Sequence, residues 1–208
     1  VRPRPSCTPT TRRVRSPVAL ALLAGGCATA ALPPPAVREE ARAAPTYSGR
    51  LRISLKGPAL RARTRALVAF RRPDALRIEI PGPTGARLVA VAREGALAAV
   101  FPGDRAVFLG AATPAELDAL LGVGLAPEEV IDLLVGVGSP RLRSYRARWG
   151  PALPAQIEAT LPDGSRLEAR VEDAEAGLAL PPAAFAEPPH ADYRRVSAAE
   201  ARRLWGAR

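Results

Sequence analysis

From Tyr47 onward, apolar and polar residues alternate with period two. Leu51, Ile53 and Leu55 are interleaved with Arg50, Arg52, Ser54 and Lys56, the pattern of a strand with one buried and one wet face. Gly57-Pro58 turns the chain. Leu60, Ala62, Thr64, Ala66, Val68 and Phe70 then alternate with Arg61, Arg63 and Arg65 in a long second strand. Leu76, Ile78 and Ile80 against Arg77 and Glu79 predict a third, and Pro81-Gly82-Pro83-Thr84-Gly85 a rigid loop. Leu88–Arg93 and Ala96–Phe101 flank a Glu94-Gly95 hairpin signal, and Ala106–Leu109 follows. The first half of the chain therefore reads as a meander of about six antiparallel strands.

The period then changes. Thr113 reads as an N-cap, with Pro114 at N1 and Glu116 completing a capping box. Leu117, Leu120 and Leu121 share one face of this short helix. A second helix spans about Pro127–Val135, with Glu128 and Glu129 in its first turn and an apolar face from Val130, Ile131, Leu133 and Leu134. Strands resume at about Leu142–Trp149, Ala155–Leu161 and Arg166–Val171, with Asp163-Gly164 as a turn. A Pro-rich segment and a short helix, Ala198–Trp205, end the chain. The fold class predicted is mainly β with α: a curled antiparallel sheet of about 9–11 strands whose open face the short helices can cover as a lid. Many inward positions are alanine (Ala62, Ala66, Ala90, Ala92, Ala155, Ala159, Ala169). Such small residues fit either an apolar cavity or a sheet packed close beneath its helices.

The N-terminal region follows another logic. Arg12, Arg13 and Arg15 precede the apolar run Val18–Leu23, then small residues, then Cys27. This is the order of a secretory signal ending in a lipidation site. The run is too short to span a bilayer. The expected organisation is a signal peptide at 1–26, a lipidated Cys27 with a Pro/Ala-rich tether at 27–45, a folded domain at 46–197 and a C-terminal helix or tail at 198–208. Five arginines would leave with the signal (Arg2, Arg4, Arg12, Arg13, Arg15), so the formal charge falls from +10 to +5. The remaining basicity suits an anionic membrane surface. Without aromatics between the basic residues it is a poor platform for nucleic acid.

Catalytic chemistry is not apparent. His190, the one histidine, lies in the Pro-rich tail, where it makes a poor general base and cannot anchor a metal site. No Gly-x-Ser-x-Gly elbow or phosphate-binding glycine loop occurs. Glu116, Asp118, Glu128, Glu129 and Asp132 read as solvated helix faces and dipole partners. The sequence predicts no enzyme, no metal and no cofactor.

Several segments, in order, carry a family resemblance: Tyr47-Ser48-Gly49-Arg50, Asp74-Ala75-Leu76-Arg77-Ile78-Glu79, Gly82-Pro83-Thr84-Gly85, Ala119-Leu120-Leu121-Gly122, Ile131-Asp132-Leu133-Leu134-Val135-Gly136 and Leu153-Pro154-Ala155-Gln156-Ile157-Glu158. Over about residues 46–197 the chain resembles the LolA/LolB-like family of periplasmic lipoprotein carriers and receptors. The resemblance implies an unclosed barrel with a helical lid and an apolar cavity for the acyl chains of lipids or lipoproteins. Carried onto this sequence, the cavity falls to Leu51, Ile53, Leu55, Val68, Phe70, Leu76, Ile78, Leu117, Leu121, Ile131 and Leu134. It further implies a monomer at the periplasmic face of the outer membrane, anchored through Cys27, with a carrier of LolA type as partner. Pro83, Thr84 and Gly85 correspond to an insertion loop whose tip is a leucine in LolB-type receptors. Thr84 departs from that pattern and puts the wedge role in doubt. A non-carrier lipoprotein that scaffolds or senses an envelope partner is the alternative.

Overall fold

The computed structural model describes residues 32–58 and 60–206. The expected signal, Cys27 and residues 28–31 lie outside the described residues. Period-two alternation becomes a single sheet. Its strands are β1 (Thr46–Lys56), β2 (Arg61–Arg71), β3 (Ala75–Gly82), β4 (Gly85–Arg93), β5 (Ala96–Phe101), β6 (Ala106–Ala111), β7 (Ser144–Trp149), β8 (Pro154–Thr160), β9 (Arg166–Ala176) and β10 (Arg194–Arg195). They are ordered β10-β6-β5-β4-β3-β2-β1-β9-β8-β7. β7 and β10 do not pair, so the sheet is unclosed, as the family resemblance implies. Every neighbouring pair is antiparallel except β10 with β6.

The predicted lid helices form as α2 (Pro114–Leu121) and α3 (Pro127–Leu134). Thr113 Oγ1 accepts the Glu116 N–H at 3.3 Å, the N-cap bond predicted from sequence. At α3 the Glu129 carboxylate accepts the Ala126 N–H at 2.8 Å, the half of a capping box that needs no side-chain oxygen at the N-cap. Leu117, Leu120 and Leu121 of α2 and Ile131 and Leu134 of α3 are buried in one core with Leu51, Val68, Leu76 and Ala169 of the sheet's concave face.

Two further helices pack on this frame. Within the stretch expected to be a tether, α1 (Pro35–Ala43) forms, with Ala41 buried. Pro33-Pro34-Pro35 does not continue as an extended spacer, because the third proline takes N1 of a helix, where its fixed φ and missing N–H cost nothing. Arg72 in the β2–β3 turn fixes that helix to the lid. Its guanidinium donates to the carbonyls of Arg42 (3.1 Å) and Ala44 (3.3 Å) and to the Asp132 carboxylate of α3 (3.0 Å). The C-terminal helix α4 (Ala198–Gly206) buries Ala201 and Trp205. Between β9 and β10 the Pro-rich segment crosses the outer face of the sheet as a strap. Thr46 Oγ1 donates to Leu178 O (2.7 Å), Arg71 to Leu180 O (2.6 Å) and Arg77 to Ala186 O (3.2 Å).

The lid is tied to the far edge of the sheet where α3 ends. Gly136 has φ +81, and the Trp149 ring of β7 lies against its Cα. A side chain there suffers a left-handed backbone and a blocked site together. Gly177 has a similar φ of +77 with open space around it. Gly136→Ala is therefore expected to lower the unfolding free energy by more than the ~1–2 kcal/mol of an alanine at positive φ. Gly177→Ala should show that backbone cost alone, and urea denaturation of the two variants reads the difference.

Candidate functional site

The cavity site begins with a break in strand pairing. β2 pairs with β1 along its whole length, from Thr46 opposite Arg71 to Lys56 opposite Arg61. With β3 it pairs only from Arg71 opposite Ala75 to Leu67 opposite Glu79. Among the described residues, Arg61–Ala66 of β2 has no strand partner on its other side. The cause is local to β3. Pro81 has no N–H to offer a neighbour, and the β3–β4 register shifts between Ile80 and Pro81, leaving Arg87 as the extra residue of a bulge. β3 follows β4 away from β2, and the sheet splits.

An apolar cavity of about 120 Å³ lies behind that split, between the concave face and the helices. From the sheet it is lined by Leu51, Ile53, Leu55, Val68, Leu76 and Ile78, and from the lid by Leu117, Leu121 and Leu134. All nine are among the positions assigned to a cavity from sequence. The other two, Phe70 and Ile131, are fully buried in the surrounding core rather than on the cavity wall. Phe70 stacks on Tyr47 with ring centroids 5.4 Å apart, at the end of β2 nearest the β2–β3 turn. Ala62, Thr64 and Ala66 of β2 and Ile80 of β3 complete the wall along the split. Ala62, Thr64 and Ile78 are half-exposed there, so the split is the mouth. Of the alanines read as inward, Ala62, Ala66 and Ala169 leave room at the wall; Ala90, Ala92 and Ala159 are buried away from it, and Ala155 is exposed at the start of β8.

The positions assigned from sequence leave out several wall residues, Val123, Val130, Leu133, Ile157 and Leu167 among them, and the most distant along the chain is Trp205 of α4. Its Nε1–H donates to Leu120 O at 2.7 Å, which satisfies the indole while its ring faces the cavity. The bulge that opens the split also holds α4: Arg87 donates to the carbonyls of Trp205 (2.6 Å) and Leu204 (3.3 Å). A cation on the last carbonyls of a helix is favourable. Arg202 bonds Asp118 O of α2. The i, i+4 spacing of Ala201 and Trp205 was the available signal for a buried face.

Thr84 and Pro83 form the two-residue tip of the β3–β4 hairpin, between Gly82 and its partner Gly85, and all three positions Pro83, Thr84 and Gly85 are exposed. The tip is separate from the cavity wall. Cys27 lies outside the described residues. His190 sits in the strap, with Nδ1 2.9 Å from Pro188 O and Nε2 3.7 Å from the Glu187 carboxylate. Among the described residues, no cluster of three or more His, Cys, Asp or Glu side chains is placed to hold a metal. No helix among them is long and apolar enough to cross a membrane.

The outer face carries a different chemistry on either side of β2. Over β3 and β4 the strap covers it. Across β2-β1-β9-β8-β7, beyond the strap's contacts at Thr46 and Arg71, it is bare, and the register sets charges in rows. Arg65 lies opposite Arg52, then come Arg170, Gln156 and Arg148. The next row is Arg63, Ser54, Glu168, Glu158 and Arg146, and the last is Arg61, Lys56, Arg166, Thr160 and Ser144.

The chain is similar in fold to a LolA superfamily protein. That structure, from Nitrosomonas europaea, aligns over 76% of this chain and 99% of its own, with 11% identity and a TM-score of 0.43. A putative outer membrane lipoprotein-sorting protein domain from Vibrio parahaemolyticus aligns over 71% of this chain and 92% of its own (8% identity, TM-score 0.42). An uncharacterized conserved protein from Thermus thermophilus aligns over 76% of this chain and 94% of its own (12% identity, TM-score 0.43). No protein-family model matches the sequence, and no curated protein does.

Two measurements probe the site. Among the described residues the buried Tyr47 hydroxyl has no hydrogen-bond partner, so Tyr47→Phe removes an unsatisfied group and is expected to leave stability unchanged or raise it by about 1 kcal/mol. Burial pushes the Tyr47 phenol well above its ordinary range and that of Tyr145, which donates to Leu133 O, up to about 12. The folded state therefore keeps protons that the unfolded chain releases above pH 10, the ordinary tyrosine value. Stability conferred by these groups is intact below pH 10 and falls as pH rises toward about 12. Alkaline unfolding followed by circular dichroism should show the loss, and the double Tyr→Phe variant should flatten it.

Arg87→Ala tests the mouth. It frees the end of α4, so hydrogen exchange in α4 should rise by more than in α3, with a loss of about 1–3 kcal/mol from bonds to a charged donor. Equal protection of α4 in both proteins would mean that Trp205, not Arg87, holds the helix.

Proposed function

We propose that this chain is a lipid-anchored envelope protein that receives the acyl chain of a lipid or lipoprotein through the β2–β3 split and assists its transport or insertion. The observation that carries this reading is the cavity: its wall is apolar apart from Thr64 and the satisfied indole of Trp205, and it meets solvent where the strands part. Each CH₂ moved from water into such a site is worth ~0.8 kcal/mol. A cavity of about 150 Å³ holds one benzene, so the 120 Å³ here takes a short apolar segment. A whole acyl chain requires α2, α3 and α4 to move outward. The chemistry asked of the site is burial, and no bond is made or broken, so the protein acts as a carrier or receptor and uses no cofactor.

The order of features at the N-terminus supports a location for this activity. Cys27 is the proposed acylated residue, with residues 1–26 as signal, the outer membrane as destination and a LolA-type periplasmic carrier as the protein partner; the domain works as a monomer. Thr84 makes the hairpin tip polar, which favours cavity binding over a wedge that enters the bilayer. The same polar tip supports a second reading, an envelope lipoprotein that holds a protein partner.

Native mass spectrometry of the protein taken from its own membranes is expected to show a bound acylated molecule. A fluorescent fatty-acid analogue should bind the purified chain, and Ala66→Phe, which fills the wall at the split, should weaken it by about fourfold for each CH₂ excluded. Overpacking at Ala66 costs roughly 1–3 kcal/mol, so a melt confirms that the variant is folded. An unliganded protein with no uptake of the analogue, recovered with a stoichiometric protein partner, would replace the carrier reading by the second.

A further inference from the structure

The charge rows on the bare part of the outer face work against strand pairing. Arg52 stands between Arg65 and Arg170, and Lys56 between Arg61 and Arg166, on adjacent strands. Like charges directly opposite one another destabilise strand pairing. Compensation is partial in the first row, where Glu172 meets Arg52 at 2.8 Å and Arg65 at 3.5 Å, and Glu168 meets Arg170 at 3.1 Å. In the last row, among the described residues, Arg61, Lys56 and Arg166 have no carboxylate within ion-pair distance, and all three are exposed. Arg63, Arg146 and Arg148 are likewise exposed and outside the ion pairs.

We propose that the outer face of β2-β1-β9-β8-β7 docks on an anionic lipid surface and sets the orientation of the domain there. Three observations select a bilayer over other polyanions. The charges are spread over five strands of the sheet, and the two depressions among them, one lined by Arg52, Lys56, Arg61 and Arg63 and the other by Arg146, Glu158 and Arg166, lie side by side on that surface and share Ser54, Lys56 and Glu168. Its rows contain no aromatic side chain on which a base could stack. Its charges are long, flexible and solvated at their ends, as attraction to headgroups without fixed partners requires. Location adds a consequence. Arg61, Arg63 and Arg65 belong to the same unpaired stretch of β2 as Ala62, Thr64 and Ala66, which edge the cavity mouth. A domain held by these arginines presents the split beside the lipid surface. The proposal does not depend on acyl binding, since it rests on the face opposite the cavity.

The test compares two charge-matched triple variants of the full chain, each with Cys27→Ser so that no acyl anchor contributes. One carries Arg61→Gln, Arg63→Gln and Arg166→Gln; the other carries Arg93→Gln, Arg195→Gln and Arg203→Gln, exposed sites off the face. Co-sedimentation with vesicles of phosphatidylglycerol and phosphatidylethanolamine is expected to fall on the order of a hundredfold for the first triple and little for the second. Binding by the parent should weaken with salt and be absent on phosphatidylcholine. Equal losses in the two triples would make the effect one of net charge and overturn the proposal. So would undiminished vesicle binding by the first triple, or failure of the parent to bind anionic vesicles while it retains a double-stranded oligonucleotide. Thermal melts confirm folding, and uptake of the fatty-acid analogue, read in the same variants, reports separately on the cavity.

Discussion

β2 serves two neighbours, and it can follow only one of them to its end. β1 keeps it along eleven residues. β3 leaves it after Leu67–Glu79, at the point where Pro81 interrupts hydrogen bonding and the β3–β4 bulge bends the strand. A continuous ladder there would bring side chains from both strands together and close the concave face. The split instead leaves alanines and a threonine along one lip and isoleucines along the other. The cavity, its mouth and the position of α4 all follow from this local failure of pairing.

The lid is fixed by polar contacts at its rim and apolar contacts at its centre. Arg72 joins the β2–β3 turn to α1 and α3, and Arg87 joins the β4 bulge to α4. Each is a single guanidinium that satisfies carbonyls at a helix end. Beneath them, leucines and isoleucines meet across a space that they do not fill. Dispersion attraction is lost across such a gap, and the helices are short, at eight or nine residues each. A lid built of short helices, hinged on a few charged bonds over an underfilled interior, is the part of this structure that opens at least cost.

Period-two alternation made the strands and their inward faces legible, because one buried and one wet face force that pattern. Six of the positions assigned to the cavity line it for this reason, and Leu117, Leu121 and Leu134 line it from the apolar faces of α2 and α3. The helix caps were legible from Thr113 and Pro114. What the sequence concealed depends on contacts between distant residues. Phe70 reads as another inward strand residue, yet its partner Tyr47 seals it away from the cavity. Trp205 lines the wall through bonds to residues far away in the chain, its own indole to Leu120 and its carbonyl to Arg87, more than a hundred residues earlier. Pro35 looked like a third proline of a spacer, although a proline is equally the first residue of a helix. The pairing of arginine with arginine across β1, β2 and β9 was invisible until the register was known.

That register links the two faces of one strand. In β2, odd-numbered positions from 61 to 65 are arginines and even-numbered ones are small, and the strand sends the former outward and the latter to the cavity. An unpaired strand edge invites another strand, and arginines along it discourage that outcome. The same arginines attract anions, so protecting the edge and marking it for an anionic surface are one physical act. Because the mouth is defined by where β2 lacks a partner, whatever gathers at those arginines gathers beside the opening. Geometry thus couples charge on the outside to apolar space on the inside without a moving part between them.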